Sequence, residues 1–243
     1  MSSDVVAAID LGSNSFHMIV ARIANGQVQT LDRLREMVQL AAGLDSRNRL
    51  SEESQLRALD CLARFGQRLR QIPPEQLRVV GTNTLRQARN SATFLARAEA
   101  VLGHNIETIS GQEEARLIYL GVVHNVADVS GQRLVVDIGG GSTELILGQK
   151  FEPHHLTSLK MGCVSVSRAC FDKGRVTETR LRDAELLVQL KLEPVREEFR
   201  DQGWQVATGA SGTIKAIQEV VKKEGWSREG ITLDALRRLR AAL

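Results

Sequence analysis

The hydrophobic positions follow two periods along the chain, and each period predicts one type of secondary structure. Leucine and phenylalanine recur at spacings of three and four between Leu56 and Leu69, which predicts a helix that ends before Pro73 and Pro74. Two more helices are predicted at 92–102 and 112–120. β-Rich runs predict strands at 5–9, 18–21, 28–31, 77–80 and 106–109. Three strands followed by alternating helices and strands are typical of a layered α/β domain with a mixed sheet.

The second part of the chain repeats the start of the first. Asp10-Leu-Gly-Ser-Asn-Ser aligns with Asp137-Ile-Gly-Gly-Gly-Ser at an offset of 127 residues (137 minus 10), and the flanking positions are apolar in both copies. Each copy lies between two β-rich runs, so both predict a strand, a tight glycine/serine turn and a second strand. In the second copy the strands are predicted at 134–136, 145–147 and 155–158.

The pattern after the second copy predicts a helix at 178–199, a strand at 204–207, a helix at 213–222 and an amphipathic segment at 233–243. A closing strand and its covering helix, both predicted in the first copy, have no counterpart in the second. We therefore predict two domains, residues 1–126 and 131–243, and expect the second to be incomplete at its C-terminal end.

Composition and charge exclude several functional classes. Apolar residues make up 42% and charged residues 25% of the 243 residues, an ordinary globular composition. The net charge of +3 is too weak a bias to predict binding to nucleic acid. The apolar runs are too short to cross a bilayer, which leaves only peripheral association with a membrane open. Cys61, Cys163 and Cys170 form no CxxC pair and no secretory leader precedes them, so we expect a reduced, cytoplasmic protein.

The two glycine/serine turns are the main candidates for chemistry. Turns of this composition bring backbone N–H groups and hydroxyls close to a phosphate, because no side chain blocks the approach. The aspartate before each turn, Asp10 or Asp137, offers the oxygen ligands that Mg²⁺ prefers. The alternative is that each turn is an ordinary hairpin, which the matched pair makes less attractive. Neither turn has the spacing of a Walker A loop.

A third turn of small residues, Gly209-Ala-Ser-Gly-Thr213, lies between a predicted strand and a predicted helix. This position suits anion binding at a helix N-terminus, with Lys215 close by. The alternative is a close connection of strand to helix, with Lys215 as a solvated surface charge.

Two further positions have a functional and a structural interpretation. Glu113 and Glu114 begin a predicted helix, where one of them is a candidate general base for an attacking water and both are candidate partners of the helix dipole. Arg86 follows a predicted strand, which suits bidentate phosphate binding, although a surface helix position fits as well. The five histidines lack metal-ligand spacing, so no zinc site is expected.

Six motifs together give the chain a family resemblance. They are AAIDLGSNSFHMIVARI, VVGTNTLRQARN, ISGQEEARLIYLGV, VVDIGGGSTELILG, LKMGCVSVS and GASGTIKAI. In this order they resemble the exopolyphosphatase/guanosine pentaphosphate phosphatase family. That family belongs to the actin-like ATPase superfamily, so the resemblance implies two RNase H-like α/β lobes with mixed sheets, in agreement with the internal repeat.

The resemblance also implies roles for single residues. It implies that Glu114 is the catalytic base and that Asp137 and Glu144 hold Mg²⁺ and the attacking water. Asp10 stays a further candidate metal ligand because of its place before the first turn. It implies a set of phosphate-binding residues, in the two turns and around them: Gly12, Ser13, Asn14, Ser15, Gly139, Gly140, Gly141, Ser142, Arg86, Gly209, Ser211, Gly212 and Lys215.

Within the family, three details favour an exopolyphosphatase that releases orthophosphate from inorganic polyphosphate. They are the Gly-Gly-Gly-Ser turn at 139–142, Lys215 after the third turn, and the stretch Gly-Thr-Asn-Thr-Leu-Arg-Gln at 81–87. The alternative substrate is guanosine pentaphosphate, pppGpp, which would lose its 5′-terminal phosphate. An ATP-dependent kinase or chaperone is disfavoured by the Glu113-Glu114 pair. A phosphate-binding scaffold without catalysis stays open, because the family's longer members continue into an HD-like helical region, which is thought to support their dimerisation.

Overall fold

The computed structural model describes residues 5–128, 130–171 and 174–243, and these fall into two compact units that divide between Ser110 and Gly111. Residues 1–4 of the first predicted domain lie outside the described residues. Each unit contains one mixed β-sheet with helices, which confirms the predicted fold class.

The first unit contains five strands and three helices. They are β1 (Val5–Leu11), β2 (Phe16–Ala24), β3 (Gln27–Glu36), α1 (Glu52–Leu69), β4 (Leu77–Gly81), α2 (Asn83–Gln87), α3 (Ser91–Leu102) and β5 (Glu107–Thr108), with 3₁₀ turns at Leu40–Gly43 and Pro74–Gln76. The strand order is β3-β2-β1-β4-β5. β1, β2 and β3 are antiparallel neighbours, whereas β4 runs parallel to β1 and to β5.

The core of the first unit lies on one face of its sheet. Alternate residues of β1, such as Ile9 and Leu11, pack with Leu62 and Phe65 of α1 and with Phe94 of α3. α1 and α3 approach each other closely, because a Cβ atom on Gly66 would lie 2.9 Å from the carbonyl oxygen of Leu102. Residues of β1 that point the other way, Ala8 and Asp10, are exposed, and no helix in the described part of this unit packs on their face of the sheet.

The second unit contains four described strands and five helices. They are α4 (Gly111–Val123), β6 (Gln132–Ile138), β7 (Thr143–Gln149), β8 (Glu152–Leu159), α5 (Cys163–Cys170), α6 (Glu178–Gln202), β9 (Val206–Ala210), α7 (Ser211–Lys223) and α8 (Leu233–Ala242). The strand order is β8-β7-β6-β9, with β9 parallel to β6. The predicted strands and helices are thus present, whereas α2 and α5 were not predicted.

Helix α4 packs on the sheet of the second unit. Ala115 and Tyr119 of α4 lie in one apolar cluster with Val135 of β6 and Ile146 of β7. Gly148 leaves room for the Tyr119 ring, because a Cβ atom there would lie 2.4 Å from the ring. The predicted boundary between 126 and 131 lies after α4, whereas the observed division lies before it. The apolar face of α4 packs on the second sheet.

The internal repeat is visible in the strand register. β1 pairs with β2 so that Asp10 lies opposite His17, and β6 pairs with β7 so that Asp137 lies opposite Glu144. In each unit the first strand also has a parallel neighbour, β4 or β9. Across the described ranges, no helix is long and apolar enough to span a bilayer.

Candidate active site

Three polar side chains form a row across the second sheet. Ser158 of β8 lies opposite Glu144 of β7, and Glu144 lies opposite Asp137 of β6. Residues that are paired across neighbouring strands share one face of a sheet. This is the α4-covered face, because Val135 and Ile146 pair in the next row and contact α4. The row therefore lies at the end of the sheet where β6 runs into the Gly139–Ser142 turn.

Glu144 is the most perturbed acid of the row. Its side chain is almost completely buried, with 1% of the residue exposed. Burial, first of all, and the negative charges of Glu114 and Asp137 raise the pKa of Glu144 to about 7, against opposing hydrogen bonds from Ser158 and Ser142. The Ser158 hydroxyl donates its hydrogen bond to Glu144 Oε1 over 2.7 Å. A carboxylate in this position is oriented by its neighbours and is poised to change its protonation near neutral pH.

Asp137 shares this environment. Burial raises the pKa of its carboxyl group, and a side-chain hydrogen bond with Ser211 opposes that shift. Ser211 begins α7 in the left-handed backbone region, at φ 66°, and its hydroxyl donates to the Ile138 carbonyl over 2.8 Å. A non-glycine residue at positive φ is uncommon and costs backbone energy, so the surrounding contacts must hold Ser211 in this conformation. The third turn predicted from the sequence thus lies against the strand that carries Asp137.

The structure distinguishes the two acids at the start of α4. Glu113 forms a bidentate ion pair with Arg116 at 2.7 and 2.8 Å, and that hydrogen bonding lowers the pKa of Glu113. Glu114 acts instead on Glu144, since its charge raises the pKa of that buried acid. Of the two candidate bases, the one whose charge acts on the buried row is therefore Glu114.

The Gly139–Ser142 turn is held in place by the N-terminus of α5. The Gly139 carbonyl accepts a hydrogen bond from the Cys163 N–H at 2.9 Å, and the Gly140 carbonyl accepts from Val164 and Ser165 at 2.9 and 3.1 Å. Among the described residues no peptide bond is cis, so the N–H that follows each of these carbonyls points the opposite way. The N–H groups of Gly140 and Gly141 are therefore directed away from α5.

The Gly12–Ser15 turn of the first unit is held in the same manner. The Ser13 carbonyl accepts from the Ala41 N–H at 2.9 Å, and the Asn14 carbonyl accepts from the Gln39 N–H at 2.8 Å. The Thr84 hydroxyl donates to Ser13 Oγ over 2.8 Å. The Ser15 hydroxyl is buried and finds no hydrogen-bond partner in the described part of the chain. A buried hydroxyl without a partner is costly, and a ligand oxygen at this turn would satisfy it.

The remaining predicted residues are distributed over both units. In the first unit Asp10 is exposed on β1. Arg86 of α2 donates a hydrogen bond to the Ile109 carbonyl over 2.8 Å, so part of its guanidinium group holds the backbone. In the second unit Gly212 and Lys215 are exposed in the first turns of α7. The second unit by itself thus brings together the Gly139–Ser142 turn, Ser211 and the three acids Glu114, Asp137 and Glu144.

Two residues with positioning contacts were not assigned from the sequence. Ser158 lay in a predicted strand, and the alternation of that strand gave no sign of its contact with Glu144. Gly162 lay inside the motif LKMGCVSVS, but its contact is with backbone about 20 residues earlier. A Cβ atom on Gly162 would lie 2.6 Å from the carbonyl oxygen of Gly139 and 2.6 Å from the carbonyl carbon of Gly140. Only glycine allows α5 to begin so close to the turn.

Replacing Gly162 by Ala is expected to destabilise the protein by roughly 1–3 kcal/mol. The backbone at this position is extended, at φ −157°, so the loss comes from the collision with the turn and not from backbone strain. Urea unfolding measures the effect. Gly121→Ala is the matched control, because nothing lies within 4 Å of its added methyl group in α4, and we expect no loss there. Equal stability of both variants would contradict the close contact.

The two acids of the row, Asp137 and Glu144, are called the acid row below, and they fit a divalent cation of the magnesium type. Asp137 and Glu144 are neighbouring carboxylates whose pKa values are raised by burial, and a bound cation would offset that penalty. Among the residues that the structure describes, no three His, Cys, Asp or Glu side chains converge on one point. Mg²⁺ needs no such cage, because it commonly binds one or two carboxylates and completes its shell with water and substrate phosphate.

The chain is similar to curated proteins of Vibrio cholerae and Aliivibrio fischeri. A protein of Vibrio cholerae named guanosine-5′-triphosphate,3′-diphosphate pyrophosphatase is 50% identical over 239 residues, which are 98% of this chain and 48% of that protein. A protein of Aliivibrio fischeri with the same name is 51% identical over 233 residues, which are 96% of this chain and 46% of that protein. The chain thus spans about half the length of the curated relatives it matches.

Solved structures show the same fold. An exopolyphosphatase from Cytophaga hutchinsonii superimposes with a TM-score of 0.88 at 26% identity, over 98% of this chain and 79% of that one. A Ppx/GppA family member from Aquifex aeolicus superimposes with a TM-score of 0.70 at 26% identity, over 88% of this chain and 68% of that one. The sequence model of the Ppx/GppA phosphatase family matches residues 19–243. The chain therefore belongs to the Ppx/GppA phosphatase family.

Proposed function

We propose that this chain carries the catalytic part of an enzyme that hydrolyses the 5′-terminal phosphate of pppGpp and releases orthophosphate. The observation that carries this proposal is the placement of Glu114, Asp137 and Glu144 beside the Gly139–Ser142 turn within one unit. Asp137 and Glu144 have raised pKa values, and they lie next to the N–H groups of Gly140 and Gly141, which point away from α5. Phosphoanhydride hydrolysis needs this combination of acids and amide groups.

Each part of the site has a role in this reaction. The N–H groups of Gly140 and Gly141 would hold phosphate oxygens, because the carbonyls that precede them, those of Gly139 and Gly140, are fixed by α5. Glu114 would accept the proton of the attacking water, since it begins α4 beside the acid row. Asp137 and Glu144 would hold Mg²⁺, which supplies neutralisation of charge on the phosphate oxygens when bound. Ser158 would keep the Glu144 carboxylate oriented through its hydrogen bond.

The choice of pppGpp reverses the preference drawn from the sequence. The relatives at 50 and 51% identity are named as pppGpp pyrophosphatases, whereas the exopolyphosphatase structure is 26% identical. A match across half of all residues outweighs the three local details at the Gly139–Ser142 turn, Lys215 and the segment 81–87. Polyphosphate hydrolysis stays the second candidate, favoured by the TM-score of 0.88 with that exopolyphosphatase.

The test is release of phosphate from pppGpp, polyphosphate and ATP, measured side by side with Mg²⁺. We expect pppGpp to be the best substrate by at least about tenfold, which corresponds to roughly 1.4 kcal/mol in the barrier. Because the chain spans about half of its relatives, the same assay is run on a fusion with the C-terminal half of the Vibrio cholerae relative. Faster release from polyphosphate than from pppGpp by both proteins would overturn the proposal in favour of the second candidate.

A further inference from the structure

Ser211 lies at the junction of β9 and α7, next to the acid row. The strand register pairs Asp137 of β6 with Ala210, the last residue of β9. Because side chains alternate along a strand, a continued strand would direct the side chain of residue 211 to the face away from Asp137. The backbone turns here instead, since Ser211 adopts φ 66°. Its hydroxyl then reaches both the Ile138 carbonyl, at 2.8 Å, and the Asp137 carboxyl group.

The backbone conformation at this position favours glycine over serine. Glycine adopts positive φ without strain, whereas a residue with a Cβ atom loses backbone energy there. Glycine is present close by, at positions 209 and 212, yet residue 211 is serine. Since the Cβ atom is unfavourable for the turn itself, the hydroxyl is the part of Ser211 that contributes favourable contacts.

The Ser211 hydroxyl has a single proton and two acceptors already within reach. A serine hydroxyl donates one hydrogen bond and accepts up to two. A phosphate oxygen at this point would be a third acceptor for the same proton, in competition with two groups that the protein holds in place. A carboxylate that binds a metal ion is ionised, and a hydrogen bond to an ionised oxygen is stronger than one to a neutral carbonyl. The contacts therefore favour Asp137 as the group that the hydroxyl orients.

We infer that Ser211 is a positioning residue, whose hydroxyl keeps the Asp137 carboxylate in one orientation for a divalent cation. Glu144 has the same kind of support from the Ser158 hydroxyl, at 2.7 Å. Each acid of the row is thus held by one serine, and the two serines come from opposite sides of the sheet, where β8 and β9 are the outer strands. This inference rests on the proposed function and differs from the direct phosphate contact that the family resemblance implies for Ser211.

Two substitutions separate the hydroxyl from the backbone conformation. Ser211→Gly and Ser211→Ala both remove the hydroxyl, but only glycine adopts the positive φ without strain. A loss that both variants share is due to the hydroxyl, whereas a loss confined to Ser211→Ala is due to the backbone. The first readout is thermal unfolding as a function of Mg²⁺ concentration, without substrate. We expect the apparent Kd for Mg²⁺ to rise by about tenfold in both variants.

Phosphate release from pppGpp is the second readout. We expect the Mg²⁺ concentration for half-maximal rate to rise by about tenfold in both variants, while KM for pppGpp at saturating Mg²⁺ stays within about twofold of the parent. Ser227→Gly is the matched control. Its hydroxyl also donates to a backbone carbonyl, that of Glu229 at 3.0 Å, in the segment between α7 and α8. We expect this variant to match the parent in its response to Mg²⁺ and in KM.

The outcomes separate this inference from the proposed function. If Mg²⁺ does not stabilise the parent, or if Ser211→Gly keeps the Mg²⁺ response of the parent, the positioning role is wrong. A raised KM for pppGpp with an unchanged Mg²⁺ response would assign the hydroxyl to a phosphate instead. If the parent is stabilised by Mg²⁺ and Ser211→Gly loses that response, but the parent releases no phosphate from pppGpp, the proposed function is wrong and the positioning role stands.

Discussion

Glu114→Gln is expected to lower the rate of phosphate release by about 10³-fold, because the substitution removes a proton acceptor and keeps the shape of the side chain. Glu114 lies in the first turn of α4, and its charge acts on the buried Glu144. Its loss should appear in kcat, while KM for pppGpp should change little, since in the proposed site the Gly139–Ser142 turn would hold the phosphate groups. Initial rates with saturating Mg²⁺ measure both constants.

Glu113→Gln is the matched control for this result. It changes the neighbouring residue in the same way and removes an exposed ion pair with Arg116, which contributes roughly 0–1 kcal/mol. We expect its rate to stay within about twofold of the parent. Equal losses in both variants would mean that the start of α4 acts as a structural unit, and an unchanged rate in Glu114→Gln would remove Glu114 from the chemistry.

The repeated hairpin could be predicted because its signal is local. Asp10 and Asp137 each stand at the end of a short β-rich run, just before small residues that allow a tight turn. These features depend only on neighbouring positions, so the strand, turn and strand of each copy followed from the sequence. The structure adds that each turn is held through its carbonyls by the segment after the third strand, which no local pattern of glycine and serine reveals.

The unit to which α4 belongs could not be predicted. The sequence showed an amphipathic helix after β5, and chain order suggested that it completes the first unit. Its apolar residues instead pack on β6, β7 and β8, with Tyr119 lying against Gly148. Periodicity shows that a helix has an apolar face but does not show which sheet that face covers. This placement is what brings Glu114 near Glu144.

Within the candidate site, the sequence proposed residue types and the structure supplied their partners. The pair Glu113 and Glu114 could not be separated from the residues alone, and the resemblance was needed to choose the second. The ion pair between Glu113 and Arg116 now gives a physical reason for that choice. The roles of Ser158 and Gly162 could not be predicted, because their contacts join segments that are about 14 to 23 residues apart in sequence.

Glu144→Gln is expected to stabilise the metal-free protein above neutral pH while it removes metal binding. The pKa of Glu144 is about 7 in the folded protein, against an ordinary value of 4.5 in the unfolded chain. Between these values the folded state keeps a proton that the unfolded state has released, so the free energy of unfolding falls as pH rises. The full cost, reached above pH 7, is about 3 kcal/mol. Glutamine has no charge to bury, so the variant should avoid this cost.

Urea unfolding in EDTA at pH 5 and pH 8 measures this effect, and Mg²⁺ titration at pH 8 provides a second readout. We expect the variant to exceed the parent by at most about 1 kcal/mol at pH 5 and by up to about 3 kcal/mol at pH 8, and to gain nothing from added Mg²⁺, whereas the parent gains stability with the ion. Glu152→Gln is the control, because Glu152 is exposed on the neighbouring strand β8 and should behave like the parent. A variant less stable than the parent at pH 8 would show that the Glu144 charge is already compensated in the metal-free protein, and the assignment of Glu144 to a metal site would lose its physical basis.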